Sequence, residues 1–443
     1  MSMGSNHEKT SVRWFVASMV GAFAFVSYLE RMNISIAAAA MMPELSLSPT
    51  QMGQVFSSFL WGYAIFQVPV GWAGDAFGPR RILTIAALLW CLTTALTGFL
   101  PGTLVTGTVL VIVSLCALRF LLGAAEAATF PVGARAIREW TPLHERGVGN
   151  SMMIAGASIA AAVTSPLVSW LMVFAGWRKS FLITSLVALL LAIIWQLSVT
   201  DRPEQHKWVG AWELRLIKDG RTENRRARSS RSLRSVLTDR DILLLSLSYT
   251  CEGYVLFIFV FWLYLYLIQV RGFTLLSGGF AASLPWLTAF ASAPLGGFVC
   301  DKISERRGRV PAARTTIMIG YAISGVMLFA AAFAGGRAAT VAALCLSIGG
   351  LYFAEPGFWA TAVHISGERA GVSAALMNTA GIVGGIVSTS LVPILVKHFG
   401  WITALASGAA VALACTTAWI VMGKVGFAAD KFDSSEAASA AKH

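Results

Sequence analysis

Charged residues are scarce in this chain. Asp, Glu, Lys and Arg together make up 13% of its 443 residues, whereas 56% are hydrophobic and the mean hydropathy is +0.69. A soluble globular protein has about 25% charged residues, because its surface must be solvated by water. The composition therefore excludes that class and predicts an integral membrane protein.

Cysteine and histidine are also few, with six of each. All the cysteines fall within or at the ends of apolar runs, so no extracellular disulfide framework is predicted. The histidines lie in tails or near loops and form no H-E-x-x-H pattern, so we predict no metal site. A Gly-x-x-x-x-Gly-Lys-Ser/Thr phosphate loop is missing as well. We therefore predict neither ATP use, nor a cofactor, nor enzymatic activity.

Long apolar runs, by contrast, fill most of the chain. A run of about 20 apolar residues is enough to cross a bilayer as a helix. We therefore predict an all-α integral membrane protein with twelve transmembrane helices. The predicted spans are 14–40, 50–73, 80–100, 105–134, 147–175, 180–199, 242–269, 275–299, 314–334, 338–362, 370–396 and 400–423.

The basic residues favour one orientation of these spans. Cytoplasmic loops of membrane proteins carry an excess of Lys and Arg, and here that rule places both termini inside. The excess also accounts for the net charge of +12 without nucleic acid, since anionic lipid headgroups attract such loops. Five basic residues remain in the predicted external loops: Arg178, Lys179, Arg271, Arg337 and Lys397.

The chain repeats itself at a nearly constant offset. The motif at 71–75 recurs at 297–301, and the Gly-Trp pair at 176–177 recurs at 400–401. Repetition in the same orientation predicts two pseudo-symmetric six-helix bundles. The predicted organisation is a cytoplasmic tail over 1–13, bundles over 14–200 and 241–424, a basic cytoplasmic linker over 201–240, and a cytoplasmic tail over 425–443.

Six ionisable residues lie well inside the apolar runs, in the first, fourth, seventh and tenth predicted spans. A charge at the centre of a bilayer costs about 2.5 to 3.5 kcal/mol on insertion scales, so each must face partners, water or a cargo pathway. We interpret them as a transport site. They are Glu30, Arg31, Arg119, Glu126, Glu252 and Glu355.

The loop between the second and third spans carries a glycine, then an acid four residues later, then another glycine and a basic pair. This pattern resembles the signature of the major facilitator superfamily, and a second copy follows in the other half. Physically, an acid at a helix end can bind a helix N-terminus or a basic partner. The motif is either a gating latch or a turn held by local salt bridges. The candidate gating residues are Gly71, Asp75, Arg80, Arg81, Gly297 and Asp301.

The acid-arginine pair Glu30-Arg31, and Arg119 followed seven residues later by Glu126, resemble the anion:cation symporter family. That resemblance implies that Arg31 contacts the anionic group of the substrate and that Arg119 is an ionic partner. It also implies that Glu30 and Glu126 are protonation sites, although the family usually has Asp at position 30. The alternative is a buried salt-bridge network that only holds helices together.

Several further residues are candidate substrate contacts. Tyr28 shares a helix face with Arg31, and the resemblance implies that Asn378 contacts substrate hydroxyls. Tyr254 and Trp359 complete the predicted contacts. Glu252 and Glu355 fit the family pattern less well, and either line the cavity, pair with loop charges or water, or bind a cationic part of the cargo.

These features predict a monomeric transporter, driven by the proton gradient, that moves a small organic anion with protons by alternating access. Hexuronates, aldonates, aldarates and other small carboxylates are the predicted cargo. The first external loop, residues 42–51, is shorter than the glycosylated loop of typical eukaryotic relatives, which favours a bacterial inner membrane. Sodium coupling, export of a cation, and a transporter-like sensor of organic anions stay open as alternatives.

Overall fold

The computed structural model describes residues 10–219, 238–366 and 370–425. Within these ranges the chain is helical, and no β-strand is present apart from an isolated bridge between Pro101 and Val105. Most of the predicted basic linker, residues 220–237, lies outside the described residues. So does nearly all of the predicted C-terminal tail.

The described part of the first half contains seven α-helices and two short 3-10 turns. Gly78 and Gly107, both with positive φ, precede the third and fourth helices. The helices are α1 Val12–Glu44, α2 Pro49–Phe77, α3 Pro79–Phe99, α4 Thr108–Glu126, α5 Thr129–Trp140, α6 Arg146–Ser198 and α7 Ala211–Asp219.

The second half follows a similar order in its described residues. The side chain of Asp239 caps its first helix by accepting hydrogen bonds from the backbone N–H groups of Asp241 and Ile242. The helices are α8 Arg240–Phe261, α9 Leu263–Gln269, α10 Leu275–Arg307, α11 Arg309–Phe333, α12 Arg337–Ser366 and α13 Ala370–Val425.

Nine helical segments in the described ranges are long and apolar enough to cross a membrane. Two of them are unusually long, because α6 has 53 residues and α13 has 56, and each bends once to supply two spans. The less apolar α2, with 29 residues, completes the twelve predicted spans. The chain is therefore a multi-pass membrane protein.

The bends in α6 and α13 occur at Gly176 and Gly400, where the sequence predicts separate helices. Both glycines have φ of 80°, with ψ of 161° and 174°, a backbone conformation that residues with a Cβ rarely adopt. The repeated Gly-Trp pair is therefore the same bend in each half.

The described residues divide into two compact units. Unit 1 contains residues 10–47 and 58–219, and unit 2 contains residues 48–57, 238–366 and 370–425. In unit 1, α1 packs along α6, and in unit 2, α8 packs along α13. Both pairs approach closely, because a Cβ added at Gly156 would collide with the carbonyl oxygen of Gly21, and one at Gly253 with that of Gly381.

The first part of the predicted linker belongs to unit 1. The Asp201 carboxylate accepts a hydrogen bond of 2.9 Å from the backbone N–H of Arg80 and so caps α3. Within this linker, α7 begins at Ala211. Within α7, Glu213 and Ile217 are buried against the rest of unit 1.

Candidate functional site

The six embedded charges fall into two clusters, one in each unit. Glu30 and Arg31 of α1 lie close to Arg119 and Glu126 of α4 in unit 1. In unit 2, Glu252 of α8 lies near Glu355 of α12.

The helix that carries Arg119 and Glu126 ends at Glu126. The chain then makes a turn and starts α5 at Thr129, so the predicted span 105–134 is interrupted within the membrane. Pro131 explains the interruption, because its ring would clash with the carbonyl of residue 127 and it offers no backbone N–H. The break leaves the Glu126 carboxylate at the last position of α4.

Arg31 and Glu126 form a buried ion pair between α1 and α4. Nε and Nη2 of Arg31 donate hydrogen bonds of 3.1 and 3.0 Å to Oε2 of Glu126, and the hydroxyl of Ser27 donates a third of 3.0 Å. Oε1 of Glu126 has no hydrogen-bond partner among the described residues. The pair thus uses one carboxylate oxygen and leaves Nη1 of Arg31 outside it.

Aromatic rings surround the Arg31 guanidinium. Its central carbon lies 4.6 Å from the ring centre of Tyr28, 5.1 Å from that of Phe59 and 5.2 Å from that of Tyr63. Such rings stabilise a cation while keeping water away from it. The predicted shared face of Tyr28 and Arg31 is confirmed by this contact, whereas Phe59 and Tyr63 of α2 could not be assigned from the sequence.

Glu30 and Arg119 are also buried, but their side chains are not joined by an ion pair. Nη1 of Arg119 donates a hydrogen bond of 3.1 Å to the backbone carbonyl of Glu30. Nε and Nη2 of Arg119 have no hydrogen-bond partner in the described part of the chain. The Glu30 carboxylate is fully buried, and neither oxygen has a hydrogen-bond partner among those residues. The polar groups that act on it electrostatically are Thr94, Arg119, Glu126 and Thr184.

Several uncharged polar residues complete this cluster, and the sequence interpretation missed them. Ser27 lies one turn before Arg31 on α1, a helical spacing that could have identified it. The side-chain amide of Asn33 donates a hydrogen bond of 2.9 Å to the hydroxyl of Thr184 on α6. Residues such as Thr184 have no sequence signal, since they approach the site only because α6 packs on α1.

The second cluster, in unit 2, contains acids and aromatic residues. The hydroxyl of Tyr249 and the indole N–H of Trp359 each donate a hydrogen bond of 2.7 Å to Oε1 of Glu355. Glu252 lies one turn after Tyr249 on α8 and is buried. Across the described residues, no group of three or more His, Cys, Asp or Glu side chains is placed to hold a metal ion.

The other predicted contacts of unit 2 lie in different surroundings. The Tyr254 hydroxyl is 2.8 Å from that of Ser407, between α8 and α13, so this side chain does not join Tyr249 and Glu355. Asn378, near the start of α13, is half-buried.

The first loop motif is held by local interactions in unit 1. Asp75 accepts a hydrogen bond of 2.6 Å from Nη1 of Arg135. The Arg80 guanidinium donates to the backbone carbonyl of Gln196, and Arg81 is exposed. The Asp75–Arg135 pair joins α2 to α5, and the gating role of the motif stays a prediction.

The second copy of the motif repeats the packing but not the ion pair. A Cβ at Gly71 would lie 3.8 Å from Pro131, and one at Gly297 would lie 3.8 Å from Pro356. Asp301 is exposed, and no ion pair to it is found among the described residues. Both distances are ordinary van der Waals contacts, so the two glycines have matching surroundings that would accept a Cβ, while the acids differ.

Comparison with known proteins agrees with this architecture. The family model of the Major Facilitator Superfamily matches residues 20–389. The "Probable sulfoacetate transporter SauU" of Cupriavidus necator is 31% identical over 394 residues, which is 89% of each chain. The "Probable galactarate/D-glucarate transporter GudP" of Bacillus subtilis is 31% identical over 403 residues, 89% of this chain and 88% of the relative.

A solved structure extends the agreement to the fold. The crystal structure of a bacterial homologue of the human lysosomal transporter Spinster, inward-facing and unoccupied, matches with a TM-score of 0.73 at 16% identity. The match covers 93% of this chain and 96% of the other. The predicted fold class and the resemblance to transporters rather than enzymes are confirmed, and the chain belongs to the Major Facilitator Superfamily.

Proposed function

We propose that this transporter imports a small organic anion together with protons across a bacterial inner membrane, with both of its termini in the cytoplasm. The observation that carries the proposal is the Arg31–Glu126 ion pair, which places a permanent cation against a titratable acid in a buried site. The pair offers one group for the anion and another for the proton.

The substrate class follows from the arginine and from the relatives. A guanidinium binds planar carboxylates and other oxyanions through parallel N–H donors. The two relatives described above are named for sulfoacetate and for galactarate or D-glucarate, which are all small organic anions. Sugar acids are therefore the proposed cargo, with Tyr28, Asn378, Tyr254 and Trp359 as further proposed contacts.

Competition for Arg31 would couple the two fluxes. An arriving anion that accepts hydrogen bonds from Nε and Nη2 of Arg31 displaces Oε2 of Glu126 from them. A buried carboxylate that has lost its cation is costly to keep charged, so Glu126 takes up a proton. On release of the anion, Glu126 returns its proton to the solvent and pairs with Arg31 again. The proton and the anion then move together.

Glu30 and Arg119 form the second part of the proposed site. The Glu30 carboxylate has no hydrogen-bond donor in the described residues, so it is well placed to carry a proton rather than a charge. Arg119 keeps two guanidinium nitrogens without partners there, close to the backbone of Glu30. Movement of a proton on or off Glu30 would change the field at Arg119.

The proposal can be tested with purified protein in proteoliposomes. Radiolabelled galactarate, D-glucarate and sulfoacetate are offered under an inward proton gradient, with an uncoupler as the control. We expect at least one anion to accumulate above its external concentration, and the uncoupler to abolish the accumulation. Accumulation that continues with the uncoupler but stops when choline replaces sodium would contradict proton coupling.

A further inference from the structure

Unit 2 holds a second pair of embedded acids that the Arg31–Glu126 mechanism does not use. Glu252 on α8 and Glu355 on α12 lie close enough for the charge of one to act on the other. Tyr249 joins the same group, because it lies three residues before Glu252 on one face of α8 and bonds Glu355.

The two acids have different surroundings. Oε1 of Glu355 accepts hydrogen bonds from the Tyr249 hydroxyl and the Trp359 indole, each 2.7 Å long. Two donors stabilise a carboxylate, so Glu355 is equipped to be the charged member of the pair. Glu252 is only 4% exposed, and none of the hydrogen bonds among the described residues reaches its carboxylate.

A further buried group near the pair also has no partner. The Tyr321 hydroxyl on α11 is fully buried without a hydrogen-bond partner in the described residues, and both Glu252 and Glu355 act on it electrostatically. Oε2 of Glu355 is likewise buried without a partner in those residues. Unsatisfied groups of this kind are costly, and a hydrogen on one of the two acids lowers that cost.

The titratable groups around the pair supply no compensating positive charge. They come from the four helices that pack in this region, and none of them is basic: Tyr249 and Cys251 of α8, Tyr321 of α11, Tyr352 of α12 and Cys415 of α13. Neither acid has an ion pair with Lys, Arg or His in the described part of the chain. Two adjacent charged carboxylates without a cation are strongly disfavoured, and such pairs hold a proton in common.

We propose that Glu252 and Glu355 form a second proton-binding site, in which Glu252 holds an exchangeable proton and Glu355 stays charged. A proton fits better than a metal cation, because a metal cation needs several oxygen ligands and Oε1 of Glu355 already accepts two hydrogen bonds. The site is distinct from the Arg31–Glu126 pair of unit 1. Its part in transport, though not its existence, rests on the proposed proton coupling.

Infrared spectroscopy of the purified full chain tests the site without any substrate. At neutral pH, the carbonyl stretch of a protonated carboxyl group should be present in the wild type and should shift when D2O replaces H2O. We expect Glu252→Gln to reduce this band, whereas the part contributed by Glu30, the other buried acid without a hydrogen-bond partner in the described residues, should remain. Glu126→Gln and Glu44→Gln should leave it in place, since Glu126 lies in unit 1 and Glu44 is paired with Arg178.

Glu355→Gln guards against a folding artefact, because the amide oxygen of Gln can still accept from Tyr249 and Trp359. This variant should keep the band, since Glu252 still has no donor. Identical carbonyl spectra for the wild type and Glu252→Gln, in protein with a normal elution volume, would overturn the proposal. So would a band that does not shift in D2O.

Transport adds a second and separable readout. In proteoliposomes that accumulate an anion, Glu252→Gln should lower the number of protons moved per anion by one, as measured from the reversal potential. An unchanged ratio would overturn a coupled role for the pair. If neither the wild type nor any variant couples anions to protons, the proposed function fails, and the infrared band still decides the second site.

Discussion

At the scale of single residues, the site is built from charges that are costly on their own and useful together. Arg31 lies among three aromatic rings and against Glu126, so its burial is compensated by a cation–π shell and an ion pair. Removing one partner of such a pair costs several kcal/mol, because the other charge is left buried alone. An incoming anion that binds Arg31 would leave the Glu126 charge buried alone, and this cost would favour protonation of Glu126.

The geometry of Arg31 leads to a prediction about Arg31→Lys. Lysine keeps the charge but loses the fork of N–H donors, and a hydrogen bond to a charged group contributes about 1.5 to 3 kcal/mol, so the KM for the anion should rise about tenfold or more. Initial uptake rates over a range of anion concentrations measure this. Arg178→Lys, at a partly exposed pair with Glu44, is the control and should leave KM unchanged.

An unaltered KM in Arg31→Lys, with normal protein levels, would remove Arg31 from the anion site. A KM that rises equally in Arg178→Lys would show that the effect is general rather than local.

Part of the site could be predicted from the sequence, and the reason is physical. Embedded charges are so costly that their positions along the chain already indicate a cavity, which is why Arg31 and Glu126 stand out in the sequence. Which charges pair depends on helix rotation and packing, so the sequence could not show that Arg31 bonds Glu126 while Arg119 bonds a backbone carbonyl.

At the scale of helices, hydropathy alone predicts the spans but not their interruptions. A hydropathy window detects the length and the apolarity of a segment. A bend or a break within the segment changes neither of them. The break after Glu126 could have been inferred from Pro131, whereas the close approach of α1 and α6 depends on Gly21 and Gly156 meeting across an interface. The repeat marks the bends at Gly176 and Gly400, but a hydropathy window cannot distinguish a bend from a loop.

The bends predict that glycine is required for its backbone and not for space. A Cβ at Gly176 would meet no atom within 4 Å, yet its φ of 80° with ψ of 161° is nearly restricted to glycine. Gly176→Ala should therefore lower stability by about 1 to 3 kcal/mol. Gly147→Ala is a matched control on the same helix, with equal space and no positive φ, and should be neutral or stabilising.

Thermal unfolding in detergent compares the two variants. Equal unfolding temperatures for Gly176→Ala and Gly147→Ala would show that the bend is not held at this residue.

The short helix α7 is tied to α1 by one carboxylate. Glu213 accepts hydrogen bonds from the Thr10 hydroxyl at 2.6 Å and from the backbone N–H and the side chain of Arg13 at 3.0 and 3.1 Å. Burial raises the pKa of Glu213, but these hydrogen bonds outweigh it, so the pKa lies below the usual value. Arg13 also bonds Glu145, so one arginine joins three segments of unit 1.

The pKa of Glu213 predicts an acid-sensitive attachment of α7. Because the folded pKa is lowered, the stabilisation is fully present above the unfolded value of about 4.3 and is lost as the pH falls through the folded value. Hydrogen exchange of α7, corrected for the intrinsic rate, should show protection at neutral pH that disappears in acid. Glu213→Gln should weaken protection at neutral pH and remove its dependence on acid, whereas the exposed Glu305→Gln should do neither.

Protection of α7 in Glu213→Gln that equals the wild type would mean that other contacts hold this helix. The account of the Glu213 carboxylate as the attachment would then be wrong.

At the scale of the whole molecule, two similar units carry different chemistry. Unit 1 contains two acids and two arginines, of which Arg31 and Glu126 form an ion pair, whereas the embedded acids of unit 2 lack basic partners in the described residues. The repeat in the sequence predicted the shared architecture. The difference lies in the arginines, because embedded acids recur in corresponding spans of both halves, whereas Arg31 and Arg119 have no basic counterpart in the seventh and tenth spans.

The orientation of the molecule is testable at exposed residues. If the termini are cytoplasmic, Lys179 faces outward and Lys207 faces the cytoplasm, and both side chains are exposed. Lys179→Cys should react with a membrane-impermeant maleimide in intact cells, and Lys207→Cys only after permeabilisation. The reverse pattern would invert the proposed topology.

The central claim is that Glu126 carries the proton that accompanies the anion. The most direct measurement follows the external pH while an anion enters proteoliposomes that contain the wild type or Glu126→Gln. The wild type should make the medium more alkaline in proportion to anion uptake. The variant should exchange anion across the membrane without that pH change. An anion-dependent proton flux that persists undiminished in Glu126→Gln would contradict the account.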